Sequence, residues 1–225
     1  MTAITIVFDL DGTLLDTAPD LIDSLNHTIE AGGLAPVGYE DITHLVGQGA
    51  KVMIERAYSL RGVAISQDLL PVLLDRFIAH YGANMPGKTQ PFPGLIEALD
   101  RLELAGYTLA VCTNKIEKLA RPLLEKLGLS DRFSVITGGD TFPVRKPDPR
   151  HIEETVMLAG GDPRRAIMIG DSINDILAAN NGGIPSIAVS FGYTDIPVEE
   201  LGADRVIDSF DALTPALVET LLEGR

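Results

Sequence analysis

An apolar run opens this chain, Ile4, Thr5, Ile6, Val7 and Phe8, and it stops at two aspartates, Asp9 and Asp11. A short run rich in β-branched residues and ended by polar ones reads as a buried strand. The period then changes. Leu21, Ile22, Leu25 and Ile29 recur at helical spacing, as do Val52, Met53, Ala57 and Leu60, and then Leu69, Leu70, Leu73, Leu74, Phe77 and Tyr81. No strand-like run interrupts these three sets. In "GANMPGKTQPFPG", residues 82–94, three prolines and three glycines mark a boundary.

Beyond that boundary strand and helix alternate. The pattern predicts strands at 107–112 (YTLAVC), 133–137, 166–171 (AIMIGD), 185–190 (PSIAVS) and 205–207. Helices fall between them: one runs through Leu127 to a stop at Gly128, one opens at Pro149, one spans 173–180, and one closes the chain. Such alternation predicts an α/β fold, a doubly wound, Rossmann-like parallel sheet with helices on both faces. The first strand belongs to the same sheet. Residues 1–15 and 88–225 therefore form the α/β core, and residues 16–87 form a small α-helical domain inserted after the first strand.

Composition narrows the partners. The 225 residues are 45% hydrophobic, enough for one sizeable core and a smaller lobe, and carry a formal net charge of −14. A chain this acidic repels nucleic acid and anionic lipid, so neither is an expected partner. It also repels a phosphorylated metabolite at long range, so any phosphate site must draw on local cations. The single cysteine, Cys112, permits no internal disulfide and fits a reducing compartment. With no apolar run of about 18 residues and no basic-then-apolar start, a soluble, cytoplasmic protein is expected, as a monomer or homodimer. His27, His44, His80 and His151 show no metal-ligand spacing, and "VGQGAK" at 46–51 fits neither the Walker nor the dinucleotide pattern.

Ligands of open α/β sheets bind outside the carboxyl ends of the strands. The polar residues predicted at those ends are Asp9 and Asp11, then Thr113, Asn114 and Lys115, then Lys146 in "RKPDP", then Asp171, Ser172 and Asp175. Carboxylates gathered at one rim repel each other, and a hard divalent cation such as Mg²⁺ resolves this where a substrate phosphate completes its ligands. Lys146 and Thr113 supply the ammonium and hydroxyl that a phosphoryl group needs. Asp9 is then placed to attack phosphorus and form an aspartyl-phosphate. Asp11 is placed to protonate the leaving oxygen and afterwards to deprotonate water. Gly12 lets the backbone turn closely around the phosphate. Asn114 can shape the same pocket, whereas Lys115 reads equally well as a surface charge. In the insertion, Gly47 and Gly49 would let the backbone approach a ligand, and Lys51 could meet a second anionic group such as a carboxylate. A plain turn between two helices accounts for that stretch equally well.

"DLDGT", "TNK", "KPDP" and "GDSIND", in this order, resemble the four signature motifs of the haloacid dehalogenase superfamily, and the helical insertion resembles its first-type cap. The resemblance implies that Asp9 is the nucleophile and Asp11 the general acid/base. It also implies that Thr113 contacts phosphate and that Lys146 steadies the nucleophile and the phosphate charge. Asp171 is implied as a Mg²⁺ ligand beside Asp9 and the Asp11 carbonyl, with Asp175 supporting the metal or Lys146. The dehalogenases and phosphonoacetaldehyde hydrolases lack a counterpart of Asp11, and the β-phosphoglucomutase branch carries a histidine where this chain has Leu21. "DGTLLDTAPDL" and "TNK" are most similar to bacterial phosphoglycolate phosphatases. The expected activity is thus Mg²⁺-dependent hydrolysis of a small phosphorylated metabolite, 2-phosphoglycolate first. Sugar-phosphate, nucleotide and pyrophosphate hydrolysis remain open, and a receiver-like phospho-aspartate switch is the non-enzymatic alternative.

Overall fold

The computed structural model describes residues 3–38, 41, 45–46 and 49–224. Strand β1 (Thr5–Phe8) lies at the centre of a six-stranded parallel sheet. Its neighbours are β4 (Thr108–Cys112) on one side and β6 (Ala166–Gly170) on the other. Beyond these come β5 (Val135–Thr137) at one edge, and β7 (Ser186–Val189) and then β8 (Arg205–Ile207) at the other. Every residue of β1, β6 and β7 is buried, as a strand covered on both faces requires. Ile6 and Phe8 join one apolar cluster with Val111, Ile169 and Val189, while Val7 joins another with Ala110, Met168 and Ile152. That alternation is the strand period of two, read on both faces of the sheet.

The register sets the level of the site. Phe8 pairs with Val111 of β4 and Ile169 of β6, and Cys112 pairs with Thr137 of β5. The residues that follow, Asp9, Thr113 and Asp171, therefore emerge together at one rim. Helices α4 (Leu95–Leu104), α5 (Glu117–Lys126), α6 (Arg150–Leu158), α7 (Ile173–Asn181) and α8 (Pro215–Glu223) connect or close the strands. The periodicity reading did not single out α4. Its buried face of Leu95, Ala98, Leu99 and Leu102 sits directly behind the proline-rich boundary that masked it.

Between β1 and β4 the chain makes a two-stranded neck. β2 (Leu15–Asp16) pairs antiparallel with β3 (Gln90–Pro91), so the chain leaves and returns at the same place. Helices α1 (Ala18–Ala31), α2 (Ala50–Leu60) and α3 (Leu69–Asn84) fill the interval, as the helical spacing predicts. Leu25, Ile29, Ile54 and Phe77 are buried among them, in a cluster that continues into the sheet face. On α2 the buried stripe is Met53, Ile54, Ala57 and Tyr58, and Leu60 is exposed. The set Val52, Met53, Ala57 and Leu60 was thus rotated by about one residue, because a four-residue repeat fits two adjacent helix faces. Among the described residues no helix is long and apolar enough to cross a membrane.

Candidate active site

The carboxyl ends of β1 and β6 carry the acidic residues. Asp9 follows β1, its N–H donating to the Ile169 carbonyl at 2.9 Å. Asp171 follows β6, and Asp175 is the third residue of α7, where its carboxylate accepts from the Ser172 N–H and hydroxyl at 3.0 and 2.7 Å. One carboxylate oxygen from each of Asp9, Asp171 and Asp175 lies within 4.8 Å of the others, and all three residues are buried. Asp171 is held from two sides: the Thr13 hydroxyl donates at 3.1 Å and the Tyr193 N–H at 2.7 Å. Gly12 makes that packing possible. Its φ is +84°, and a Cβ there would fall 2.3 Å from an Asp171 carboxylate oxygen.

Lys146 is the cation inside this cluster. Its ammonium donates to Asp9 Oδ1 at 2.9 Å and to the Cys112 carbonyl at 2.6 Å, and it pairs with Asp175 at 2.5 Å. The loop carrying Lys146 is itself pinned. Its carbonyl accepts from Asn114 Nδ2 at 3.1 Å, and its N–H donates to His151 Nδ1 at 3.2 Å. His151 can accept because burial, together with the charge of Lys146, lowers its pKa to about 4 and keeps the ring neutral.

The electrostatics of the cluster are unbalanced. Burial raises the Asp9 pKa to about 6, against the pull of Lys146, and Asp175 adds to the rise. Burial likewise raises Asp171 well above the ordinary aspartate range, with Asp175 and Asp9 contributing. Three carboxylates against one ammonium leave two negative charges in excess. A divalent cation with a preference for hard oxygen ligands fits that deficit and that donor set. The neighbouring Cys112 thiol is pushed up to about 11 by burial, so it stays a neutral thiol at neutral pH.

A cavity of about 260 Å³ opens from this cluster toward the helical insertion. Asp9, Asp11, Thr113, Asn114, Gly49 and Lys51 all contribute to its wall, so most of the sequence-derived candidates meet at one place. Gly47 lies outside the described residues. Asp11 is not part of the carboxylate cluster: its side chain turns to Lys115, whose ammonium it meets at 2.8 Å. Thr113 is pinned at the strand end, its N–H donating to the Thr137 carbonyl at 3.0 Å and its hydroxyl accepting from the Lys115 N–H at 3.1 Å.

Sequence reasoning left three participants out or undecided. Lys115 is 8% exposed, not a surface charge. Arg145, next to Lys146, lines the cavity. Tyr193 lies beyond β7, and the strand-end rule that found Asp171 would have reached it had that strand been followed to its rim.

A family model described as haloacid dehalogenase-like hydrolase matches residues 6–189. The phosphoglycolate phosphatase of Agrobacterium fabrum is 64% identical over 216 residues, which span 96% of this chain and 93% of that protein. The phosphoglycolate phosphatase of Mesorhizobium japonicum is 52% identical over 219 residues, 97% of this chain and 96% of that one. Among solved structures, a predicted phosphoglycolate phosphatase from Haemophilus somnus 129pt is similar with a TM-score of 0.86 at 31% identity, covering 93% of this chain and 96% of that chain.

Proposed function

This chain belongs to the haloacid dehalogenase-like hydrolase family, and from that premise we propose that it hydrolyses 2-phosphoglycolate to glycolate and phosphate through an aspartyl-phosphate on Asp9. The observation that carries this reading is the arrangement of Asp9 itself. It is a buried carboxylate at the end of the central strand, held by Lys146 and opening onto a cavity that Asp11 and Thr113 also line. The substrate follows from the names of the relatives, and a cavity this small suits a small metabolite.

In the first step an Asp9 oxygen attacks phosphorus, the phosphorus bond to the glycolate oxygen breaks, and Asp11 gives that oxygen a proton. In the second, Asp11 takes a proton from water. The water oxygen attacks phosphorus, and the bond to Asp9 breaks to release inorganic phosphate. Lys146 and Thr113 hold the phosphoryl oxygens, and Gly12 and Asn114 shape the wall around them. Asp9, Asp171 and Asp175, with the Asp11 carbonyl, would hold Mg²⁺. When bound, the ion neutralises the carboxylates and draws charge off the phosphoryl group. Residues 16–87 act as a cap that excludes bulk water and selects the leaving group, a reading supported by the pairing of β2 with β3, where the chain leaves and returns. The cytoplasm suits this chemistry and the single buried thiol of Cys112.

Phosphate release from 2-phosphoglycolate, a pentose phosphate, a nucleoside monophosphate and pyrophosphate tests the reading. It should be measured with Mg²⁺, with EDTA, and with the Asp9→Asn protein. Phosphoglycolate is expected to lead the panel, and both EDTA and Asp9→Asn to abolish turnover. Comparable rates across the panel would retire the substrate, and activity surviving Asp9→Asn would retire the mechanism.

A further inference from the structure

Among the described residues three cations line the cavity, Lys51, Lys115 and Arg145, and the fold treats them differently. Lys51 and Arg145 are exposed, and Lys51 has Glu55 one helical turn away at 3.9 Å. Exposed charges of this kind are solvated, and their pairing contributes little. The side chain of Lys115 is only 5% exposed. Its ammonium meets Asp11 at 2.8 Å and lies 4.2 Å from the centre of the Tyr81 ring, over its face. Taking an ammonium out of water is costly unless anions compensate it. One carboxylate and one aromatic face do not occupy three donor hydrogens, and the cavity is the side from which a further anion can come.

We infer that Lys115 binds the acid group on the leaving half of the substrate, which makes the enzyme selective for phosphate esters of 2-hydroxy acids. This rests on the reading proposed above and adds to it the residue that sets specificity. Asp11 must reach the bridging oxygen to deliver a proton, and Lys115 touches Asp11, so Lys115 lies about one hydrogen bond beyond that oxygen. In the ester of a 2-hydroxy acid, the carboxylate is attached to the same carbon that bears the bridging oxygen. It therefore falls within reach of Lys115. An acid group placed further along a longer chain would pass Lys115, and the exposed, solvated Lys51 and Arg145 or the apolar Met53, Leu74 and Phe77 of the same wall would hold it less well than a buried ammonium does. Tyr81 belongs to α3, so the aromatic face that seats the ammonium comes from the insertion, while the lysine comes from the end of β4.

The test compares 2-phosphoglycolate with ethyl phosphate, which carries a methyl group where phosphoglycolate has its carboxylate, and with the phosphate ester of 3-hydroxypropionate. The readout is the ratio of kcat/KM values, whatever happens to each absolute rate. Wild-type protein is expected to favour phosphoglycolate over both other esters. Lys115→Met is expected to shrink that preference by about ten- to a hundredfold, the value of one hydrogen bond between charged groups, with part of it returned by Lys115→Arg. Lys115→Gln serves where circular dichroism shows that the methionine variant does not fold. A preference intact in Lys115→Met overturns the inference, as does one that collapses in Lys51→Met instead. Calorimetric titration of Asp9→Asn protein in Mg²⁺, with and without Lys115→Met, reads the same preference without turnover. Tighter binding of phosphoglycolate that depends on Lys115 supports the inference even if the wild-type protein proves inert, an outcome that would sink the hydrolase reading alone. Equal binding of phosphoglycolate and ethyl phosphate by Asp9→Asn overturns it.

Discussion

In the proposed mechanism Lys146 serves stability and chemistry together. Burial works against its charge, yet Asp175 and Asp9 outweigh burial and hold the ammonium firmly protonated. Removing it would leave two buried carboxylates without a counter-charge. Lys146→Met is therefore expected to destabilise the metal-free protein by about 3–5 kcal/mol, as when one partner of a buried pair is deleted. Urea unfolding in EDTA measures this, and added Mg²⁺ should recover part of the loss. Turnover of the same variant is expected to fall by at least about a hundredfold, since a preorganised donor beside the reacting phosphoryl group is gone. A variant with wild-type stability in EDTA would mean that the two carboxylates find another partner.

At the scale of elements, the neck is held by dense polar packing. Asp20, in the first turn of α1, accepts from the N–H groups of Gly87, Lys88 and Thr89 at 2.9, 2.7 and 3.1 Å, and from the Thr89 hydroxyl at 2.6 Å. One carboxylate thus ties the first helix of the insertion to the segment that returns to the sheet. Tyr193 ties the outgoing side: its hydroxyl donates to Asp16 and accepts from the Ala18 N–H, while its own N–H reaches Asp171. Burial would raise the Asp20 pKa, but the hydrogen bonds from Lys88, Thr89 and Gly87 prevail and lower it. The sign follows from linkage. A depressed carboxylate pKa contributes stability above the ordinary aspartate range, and this contribution fades as pH falls through the lowered value. Asp20→Ala should cost about 1–3 kcal/mol at neutral pH, with the gap to wild type narrowing in acid. Denaturant melts at neutral and acidic pH check both halves, and a gap that widens in acid would contradict the assignment.

At the scale of the whole molecule, the acid cluster links folding to pH and metal. Asp9 has its pKa raised to about 6, chiefly by burial, from an ordinary value of 3.8. Between those values the folded state holds protons that the unfolded chain has released. This contribution is complete below the ordinary value and is lost as pH rises through about 6. Metal-free protein should accordingly lose stability across that interval, and Asp9→Asn protein should lose less of it. A divalent ion bound at this cluster would take the place of those protons, so saturating Mg²⁺ should flatten the decline. It should also add about 2.7 kcal/mol at a hundredfold excess over its dissociation constant. Unfolding curves at pH 5 and pH 8, with EDTA and with Mg²⁺, report all of this. An identical pH dependence with and without the ion would argue that it binds elsewhere. The net charge of −14 belongs to the same scale. The surface repels a phosphorylated anion, and the cations gathered at one rim offset that repulsion locally.

What the amino-acid sequence determined by itself was whatever short-range pattern encodes. The apolar run ending at Asp9 dictated β1, alternation after residue 107 dictated the parallel sheet, and helical spacing over 21–81 dictated the insertion. Because strand ends in such a sheet share one rim, Asp9, Thr113, Lys146 and Asp171 were legible as a group before any coordinates. Tertiary structure decided the rest, where identity depends on partners far along the chain. Lys115 became a buried binding group only because Asp11, 104 residues earlier, and Tyr81 of α3 close over it. The buried stripe of α2 was set by its packing against the neighbouring helices, and α4 emerged only where a sheet face needed cover. Asp175, for which an exposed helix position was the lesser alternative, is buried and paired with the ammonium of Lys146. A charge is solvated or functional according to what excludes water from it, and that is a property of packing, which local sequence does not carry.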